Sequence, residues 1–178
     1  MAGYLRRRDF LAVGSAAVLA PWSALVRGAD APQPDKDGIV WHDVREWGVE
    51  GRGWDDTAKY FDRLPAKAEK TVRPAVWSLS RHSAGMLARF ATDAPAIWAD
   101  YTLSSNRLDM PHMPATGVSG LDLYAEDEEG TWRWLSVTRP GAQRVKTQLI
   151  AGLVAGKRAY TAYLPLYNGG EELKMGGP

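Results

Sequence analysis

Apolar and polar residues alternate with a period of two along much of the chain after residue 72. The clearest case is the segment 120–137, which reads as a strand, a tight turn and a second strand. Its first strand places Leu121, Leu123 and Ala125 on one face and Asp122 and Tyr124 on the other. Because successive side chains of a strand point to opposite faces, we expect the leucine face to be core. The turn residues "EDEEG" then predict a β-hairpin.

The same alternation predicts further strands on either side of this hairpin. Segment 75–80 reads as a strand, and segments 86–90 and 97–102 read as a hairpin whose turn contains Pro95. Another strand pair is predicted within 147–156 and 158–167, and a last short strand within 171–176. Glycines at 48, 51 and 53 indicate turns between short strands in 39–54. Segment 55–70 is the best helical candidate, although Pro65 interrupts it.

Seven or eight short strands at intervals of about ten residues are typical of a two-sheet protein. The sequence therefore predicts an all-β fold, an antiparallel, jelly-roll-like β-sandwich with little helix. Strands do not alternate with long amphipathic helices, which argues against a doubly wound sheet.

Composition excludes several classes of function. The chain of 178 residues is long enough for one domain, and its 22 Lys+Arg against 21 Asp+Glu leave a net charge of +1. We therefore expect no electrostatic attraction to nucleic acid or to an anionic membrane. The absence of cysteine excludes a disulfide framework, a thiolate zinc site and a cysteine nucleophile.

The N-terminus carries the features of an export signal. Arg7 and Arg8 precede Phe10-Leu11 and a short apolar run, as in twin-arginine signals. We predict a signal peptide over 1–31, a polar linker over 32–38 and the folded domain over 39–178. The expected location is periplasmic or secreted, without membrane attachment after cleavage.

Candidate chemistry is sparse. Asp109 and His112 have the spacing of a carboxylate–histidine pair, and Ser119 is the nearest nucleophile candidate, but it lacks the Gly-x-Ser-x-Gly context. His42 and His82 have no partner at metal-ligand spacing, so we predict neither a metal nor another cofactor. The acidic turn 126–129 reads as a solvated turn more readily than as a Ca²⁺ loop.

Aromatic residues offer a second possibility. Trp132 and Trp134 point the same way from one strand, and Tyr124 lies on its partner. Sugars bind by stacking their C–H faces on such rings, so an outer groove could hold a glycan. The competing interpretation, that most of these tryptophans fill the core, is favoured at this point.

The hairpin also carries a family resemblance. "GLDLY", which is Gly120-x-Asp122-Leu123-Tyr124, resembles the GxDLY domain found before the catalytic domain of secreted SGNH (GDSL-type) esterases. Three further blocks resemble it in the same order, "DRLPAKAEKTVRPAVWSLSRHSAGMLARFATDA", "MPHMPATGVSG" and "YTAYLPLYNGGEELKMG". The resemblance implies a β-sandwich and an SGNH catalytic domain as partner. Because the chain contains no Gly-Asp-Ser sequence, no catalytic residue is assigned.

The resemblance implies a non-catalytic accessory domain that supports hydrolysis of carbohydrate esters by docking to a catalytic domain or a glycan. In that interpretation Gly120, Asp122, Leu123 and Tyr124 support the preceding loop, and Asp122 accepts its backbone N–H groups. The loop residues expected to dock or bind are His112, Met113, Pro114 and Thr116. Two alternatives remain open, a stand-alone carbohydrate-binding module and a small hydrolase using Asp109 and His112.

The twin-arginine prediction is tested by replacing Arg7 and Arg8 together with lysine. This change keeps the charge but removes the paired guanidinium groups. We expect the variant to be lost from the periplasmic fraction on immunoblots. Export at the parental level would refute the assignment.

Overall fold

The chain folds into two four-stranded antiparallel sheets, seen in a computed structural model that describes residues 32–178. The predicted signal peptide, 1–31, lies outside the described residues. The strands are β1 Val40–Asp43, β2 Leu87–Thr92, β3 Ala96–Leu103, β4 Asp122–Glu126, β5 Trp132–Val137, β6 Arg144–Ala151, β7 Arg158–Tyr163 and β8 Gly170–Gly177. Sheet I has the order β1-β8-β3-β6, and sheet II has the order β2-β7-β4-β5. This is the strand order of a jelly roll, so the predicted all-β sandwich is confirmed.

Most connections in this order cross from one sheet to the other. Among the described strands, β4 and β5 form the one pair that is consecutive in sequence and hydrogen-bonded. The predicted hairpin of 86–90 with 97–102 is wrong, because β2 pairs with β7 while β3 pairs with β6 and β8. The predicted pairing of 147–156 with 158–167 is wrong for the same reason. Alternation identifies a strand, but it does not say which strand lies beside it.

The core lies between the two sheets. In β3 the burial alternates along most of the strand, as expected for a strand with one face inward. Leu121 and Leu123 are fully buried, as predicted. The largest fully buried side chains come from both sheets and from the segment before β2, and they include Phe61, Met86, Phe90, Ile97, Tyr101, Leu103, Tyr160 and Met175.

Three short α-helices, α1 Val44–Trp47, α2 Pro74–Ser80 and α3 Ala115–Ser119, lie between strands. The prediction of a strand over 75–80 is wrong, because Pro74 starts helix α2, where its missing N–H costs nothing. The helix predicted over 55–70 is also wrong. There the chain makes turns and a bridge between Thr57 and Pro65, and a 3₁₀-helix follows at Ala66–Lys70.

The glycine-rich segment 39–54 contains one strand, β1, and helix α1. Of the predicted turns, the one at Gly51 is present, whereas Gly48 ends helix α1 and Gly53 lies outside any turn; Gly48 and Gly51 have positive φ angles of 89° and 83°. None of the helices described in residues 32–178 has the length and apolar character needed to span a membrane.

The segment before β4 lies at one end of the sandwich. It follows β3, whose last residue Leu103 pairs with Gly170 at the start of β8. The connection between β7 and β8 reaches the same end, because Tyr167 N donates to Val118 O over 3.0 Å. We call this end, formed by residues 104–120 and 164–169, the loop end.

Candidate functional site

The hairpin separates the motif residues by face. Leu123 packs in the core, whereas Asp122 and Tyr124 lie on the outer face of sheet II, half-exposed. A β-bulge between Leu123 and Tyr124 shifts the register, so that Tyr124 pairs with Trp134. The motif therefore contributes to the core and to an outer surface at once.

A glycine is required at position 120 because other parts of the backbone lie very close to its Cα. Its φ of −75° is open to any residue, so backbone conformation does not require a glycine here. A Cβ at this position would lie 2.2 Å from Thr116 O and 3.0 Å from Thr138 O. Only a residue without a side chain lets helix α3 pack this closely on the segment after β5.

Asp122 does not hold the preceding loop, which corrects the sequence-based prediction. Its Oδ1 accepts from the Trp134 indole Nε1 over 2.9 Å, and no loop amide in residues 32–178 donates to this carboxylate. The loop amide of Leu121 instead donates to Thr138 Oγ1 over 2.8 Å.

Thr138 and Tyr101 fix the base of the loop. Their hydroxyl oxygens lie 2.6 Å apart in the core, and Tyr101 OH also donates to Ser119 O over 3.3 Å. Burial raises the pKa of Tyr101 to about 12, although the bond to Thr138 acts in the opposite direction. Sequence reasoning missed both residues, since a tyrosine within an alternating strand reads as ordinary core.

Ser119 and Asn168 hold the loop before β4 through a second set of hydrogen bonds. The Ser119 hydroxyl, fully buried, donates to Leu108 O over 2.8 Å and accepts from Asn168 Nδ2 over 3.1 Å. Asn168 Nδ2 also donates to Ser105 O over 3.0 Å. Asn168 lies within the block "YTAYLPLYNGGEELKMG" that carries the family resemblance, and this is the signal in the sequence that could have indicated its role.

The four predicted loop residues stand near one another on the loop end. Met113 and Met110 exchange two backbone hydrogen bonds of 2.9 and 3.1 Å. Pro114 caps helix α3, which contains Thr116. His112 and Pro114 are exposed.

The Asp109–His112 pair is not joined to a nucleophile. His112 is exposed, whereas the Ser119 hydroxyl is buried with both Leu108 and Asn168 as partners. The other two histidines lie elsewhere, and burial lowers the pKa of both His42 and His82.

A groove runs over the outer face of sheet II. Paired neighbours across β2, β7, β4 and β5 place Arg89, Thr161, Tyr124 and Trp134 in one row. Thr161 is the small residue between two large ones, so a depression of about 240 Å³ forms above it. The groove is lined by Arg89, Tyr124, Trp132, Thr161 and Tyr163.

The rings of the groove meet at defined angles. Tyr124 and Tyr163 contact edge to face, with centroids 5.5 Å apart and planes at 76°. The Arg89 guanidinium lies 5.2 Å from the centre of the Trp132 ring, and its Nε is 2.8 Å from a Glu50 oxygen. These groups combine apolar surface with a few fixed polar atoms, as small-molecule sites do.

The location of the tryptophans on this face differs from the one favoured by the sequence. The interpretation that most of them fill the core is wrong, because Trp132 is half-buried and Trp134 is 54% exposed. Within residues 32–178, no tryptophan belongs to the buried core. Burial could not be read from residue type alone, since tryptophan suits both locations.

In the acidic turn between β4 and β5, Asp127 stabilises the turn through hydrogen bonds to its own residues. Asp127 accepts from Thr131 N and from Arg133 Nε, each over 2.8 Å. The bond from Arg133 is the main reason why the pKa of Asp127 is lowered. No group of three or more acidic or histidine side chains in residues 32–178 is arranged to hold a metal ion.

These features define a class, a jelly-roll domain organised around a GxDLY hairpin. More specifically, the chain belongs to the GxDLY family, described as the N-terminus of SGNH-hydrolase-type esterases, whose model matches residues 39–178. This confirms the resemblance drawn from the sequence.

A crystal structure described as a GDSL-like lipase from Bacteroides ovatus is similar, with 26% identity and a TM-score of 0.73. The match covers 79% of this chain but 41% of that one, so this chain spans less than half of its relative. No curated protein matches the sequence.

Gly120→Ala should destabilise the domain strongly, because the new methyl group would overlap Thr116 O. We expect a loss of more than about 2 kcal/mol in the free energy of unfolding, measured by urea denaturation. Gly141→Ala is the matched control, since a Cβ there meets no atom within 4 Å. Equal effects of the two changes would contradict this account of Gly120.

Tyr101→Phe should remove a pH-dependent part of the stability. The folded pKa of Tyr101 is raised from 10.0 to about 12, so its contribution is complete below pH 10 and is lost as pH rises through 12. Wild type should exceed the variant by about 1 kcal/mol at neutral pH, and this advantage should fall above pH 10 by up to about 1.4 kcal/mol per pH unit. Urea unfolding at a series of pH values measures it. An advantage that stays constant up to pH 12 would show that Tyr101 ionises as freely in the folded state as in the unfolded one.

Proposed function

We propose that residues 39–178 form a non-catalytic accessory domain of a secreted SGNH-type esterase that acts on acylated carbohydrate. The observation that carries the proposal is the match of the whole sandwich to the N-terminal domain of such esterases. The lipase-like relative extends beyond the matched region, and we propose that the partner of this domain is a catalytic domain of the kind such esterases contain. Twin-arginine export, through Arg7 and Arg8, is part of the same proposal.

The loop end is the surface that we propose faces the catalytic domain. His112, Pro114, Leu166 and Tyr167 are exposed there, and the last two are large apolar side chains, 46% and 42% exposed. The hydrogen bonds of Thr138, Ser119 and Asn168 hold the surrounding loops. A surface that is already ordered loses less conformational entropy on binding, which favours docking.

The alternative of a small hydrolase draws no support from the contacts at the loop end. A serine nucleophile must lie within hydrogen-bond reach of its base and be open to substrate. Ser119 is fully buried and donates to the Leu108 carbonyl, and His112 is not among its partners.

Docking is tested by mixing the chain with the part of the Bacteroides ovatus lipase-like protein that lies outside the matched region. We expect the two to co-elute in size-exclusion chromatography and the mixture to hydrolyse 4-nitrophenyl acetate. Tyr167→Ala should weaken the complex at least about tenfold, because it removes an exposed aromatic ring from the proposed docking surface.

Tyr163→Ala is the matched control, since Tyr163 is 41% exposed but lies on the outer face of sheet II. It should leave the complex unchanged. Absence of a complex would refute the docking surface. Ester turnover by the chain alone, abolished by His112→Ala, would instead establish the hydrolase alternative.

A further inference from the structure

The floor of the outer groove contains a polar group without a partner. Thr161 is 2% exposed, and its hydroxyl makes no hydrogen bond within the described part of the chain. Buried hydroxyls are nearly always bonded, because leaving one unpaired opposes folding. This unpaired hydroxyl belongs to a residue that lines the groove on the outer face.

The walls around Thr161 are both apolar and polar. Tyr124 and Tyr163 form a corner of two nearly perpendicular rings, and Trp132, beside the Arg89 guanidinium, also lines the groove. Arg89 and its partner Glu50 place donors and acceptors at the rim. Their charges compensate each other, so the groove carries no net charge that would select an ionic ligand.

This combination fits a sugar ring. A pyranose has a C–H face that stacks on aromatic rings and hydroxyl groups that exchange hydrogen bonds with hydroxyl, carboxylate and guanidinium groups. The groove of about 240 Å³ is smaller than the roughly 300–1,000 Å³ typical of pockets for drug-sized ligands. It therefore suits one ring of a longer chain.

We infer that the outer face of sheet II binds a neutral pyranose unit of an oligosaccharide, with the ring against Tyr124, Tyr163 and Trp132 and one hydroxyl bonded to Thr161. Reaching that hydroxyl requires a small shift of the covering side chains, for which Arg89 on its flexible stem is suited. The inference rests on the proposed role in carbohydrate-ester hydrolysis for its biological setting. It does not depend on docking at the loop end.

The test is isothermal titration of the full chain with xylohexaose, cellohexaose and mannohexaose, three neutral β-1,4-linked sugars. We expect at least one to bind with Kd of about 1 mM or below. Thr161→Val keeps nearly the same shape and removes the hydroxyl. Binding should weaken about tenfold, while the unfolding midpoint should be unchanged or higher, because an unpaired buried hydroxyl has been removed.

Two matched tyrosines separate this inference from the docking proposal. Tyr163→Ala should abolish measurable sugar binding, whereas Tyr167→Ala, at nearly equal exposure, should not change it. Complex formation with the catalytic part should show the reverse pattern. Failure of docking alone therefore leaves the sugar site supported, and failure of sugar binding alone leaves docking supported.

Several outcomes would overturn the sugar site. One is failure of all three hexamers to bind at about 10 mM. A second is binding that either Thr161→Val or Tyr163→Ala leaves at wild-type strength. A third is protection of the groove by the catalytic part in hydroxyl-radical footprinting, which would make this face a protein interface.

Discussion

The buried pair of hydroxyls on Tyr101 and Thr138 is the constraint on which the loop end depends. Tyr101 belongs to β3 in sheet I, whereas Thr138 follows β5 in sheet II, so their 2.6 Å contact joins the two sheets. Thr138 also accepts from the Leu121 amide. Hydroxyls in a core must be bonded, and the Ser119 carbonyl and the Leu121 amide complete the partners of this pair where the chain passes over it.

That path explains why the motif contains the residues it does. Gly120 lies where the chain touches both Thr116 O and Thr138 O, so a side chain has no room. Alternation then sends Leu123 inward and Asp122 and Tyr124 outward. In a jelly roll, where most consecutive strands lie in different sheets, the β4–β5 hairpin places these outward residues beside a local partner strand. Asp122 and Tyr124 accordingly meet Trp134 across the pair.

Sequence pattern predicted the strands better than their partners. The faces of β4 followed from Leu121 and Leu123, because a charged residue separates them. The order of the strands within each sheet could not be predicted from the sequence. A turn such as the one at Pro95 has the same sequence features whether it joins two paired strands or connects strands of different sheets. The strand prediction for segment 75–80 was wrong because six alternating residues also fit a short helix. Pro74 at the first helical position favours the helix. For the candidate site, Tyr124 and Trp132 were identified, but Tyr163, Thr161 and Arg89 were missed because they come from strands distant in sequence.

The strand order has a consequence for how the molecule is made. Strand β8, the last in the chain, lies in sheet I between β1 and β3 and pairs with both. Sheet I therefore cannot close until residues 170–177 have been synthesised, and shorter fragments expose the unpaired edges of β1 and β3. Contacts between such distant parts of the chain are slow to form. Fragments that lack residues 170–177 thus carry exposed strand edges that promote aggregation, and removal of these residues would disconnect β1 from the sheet.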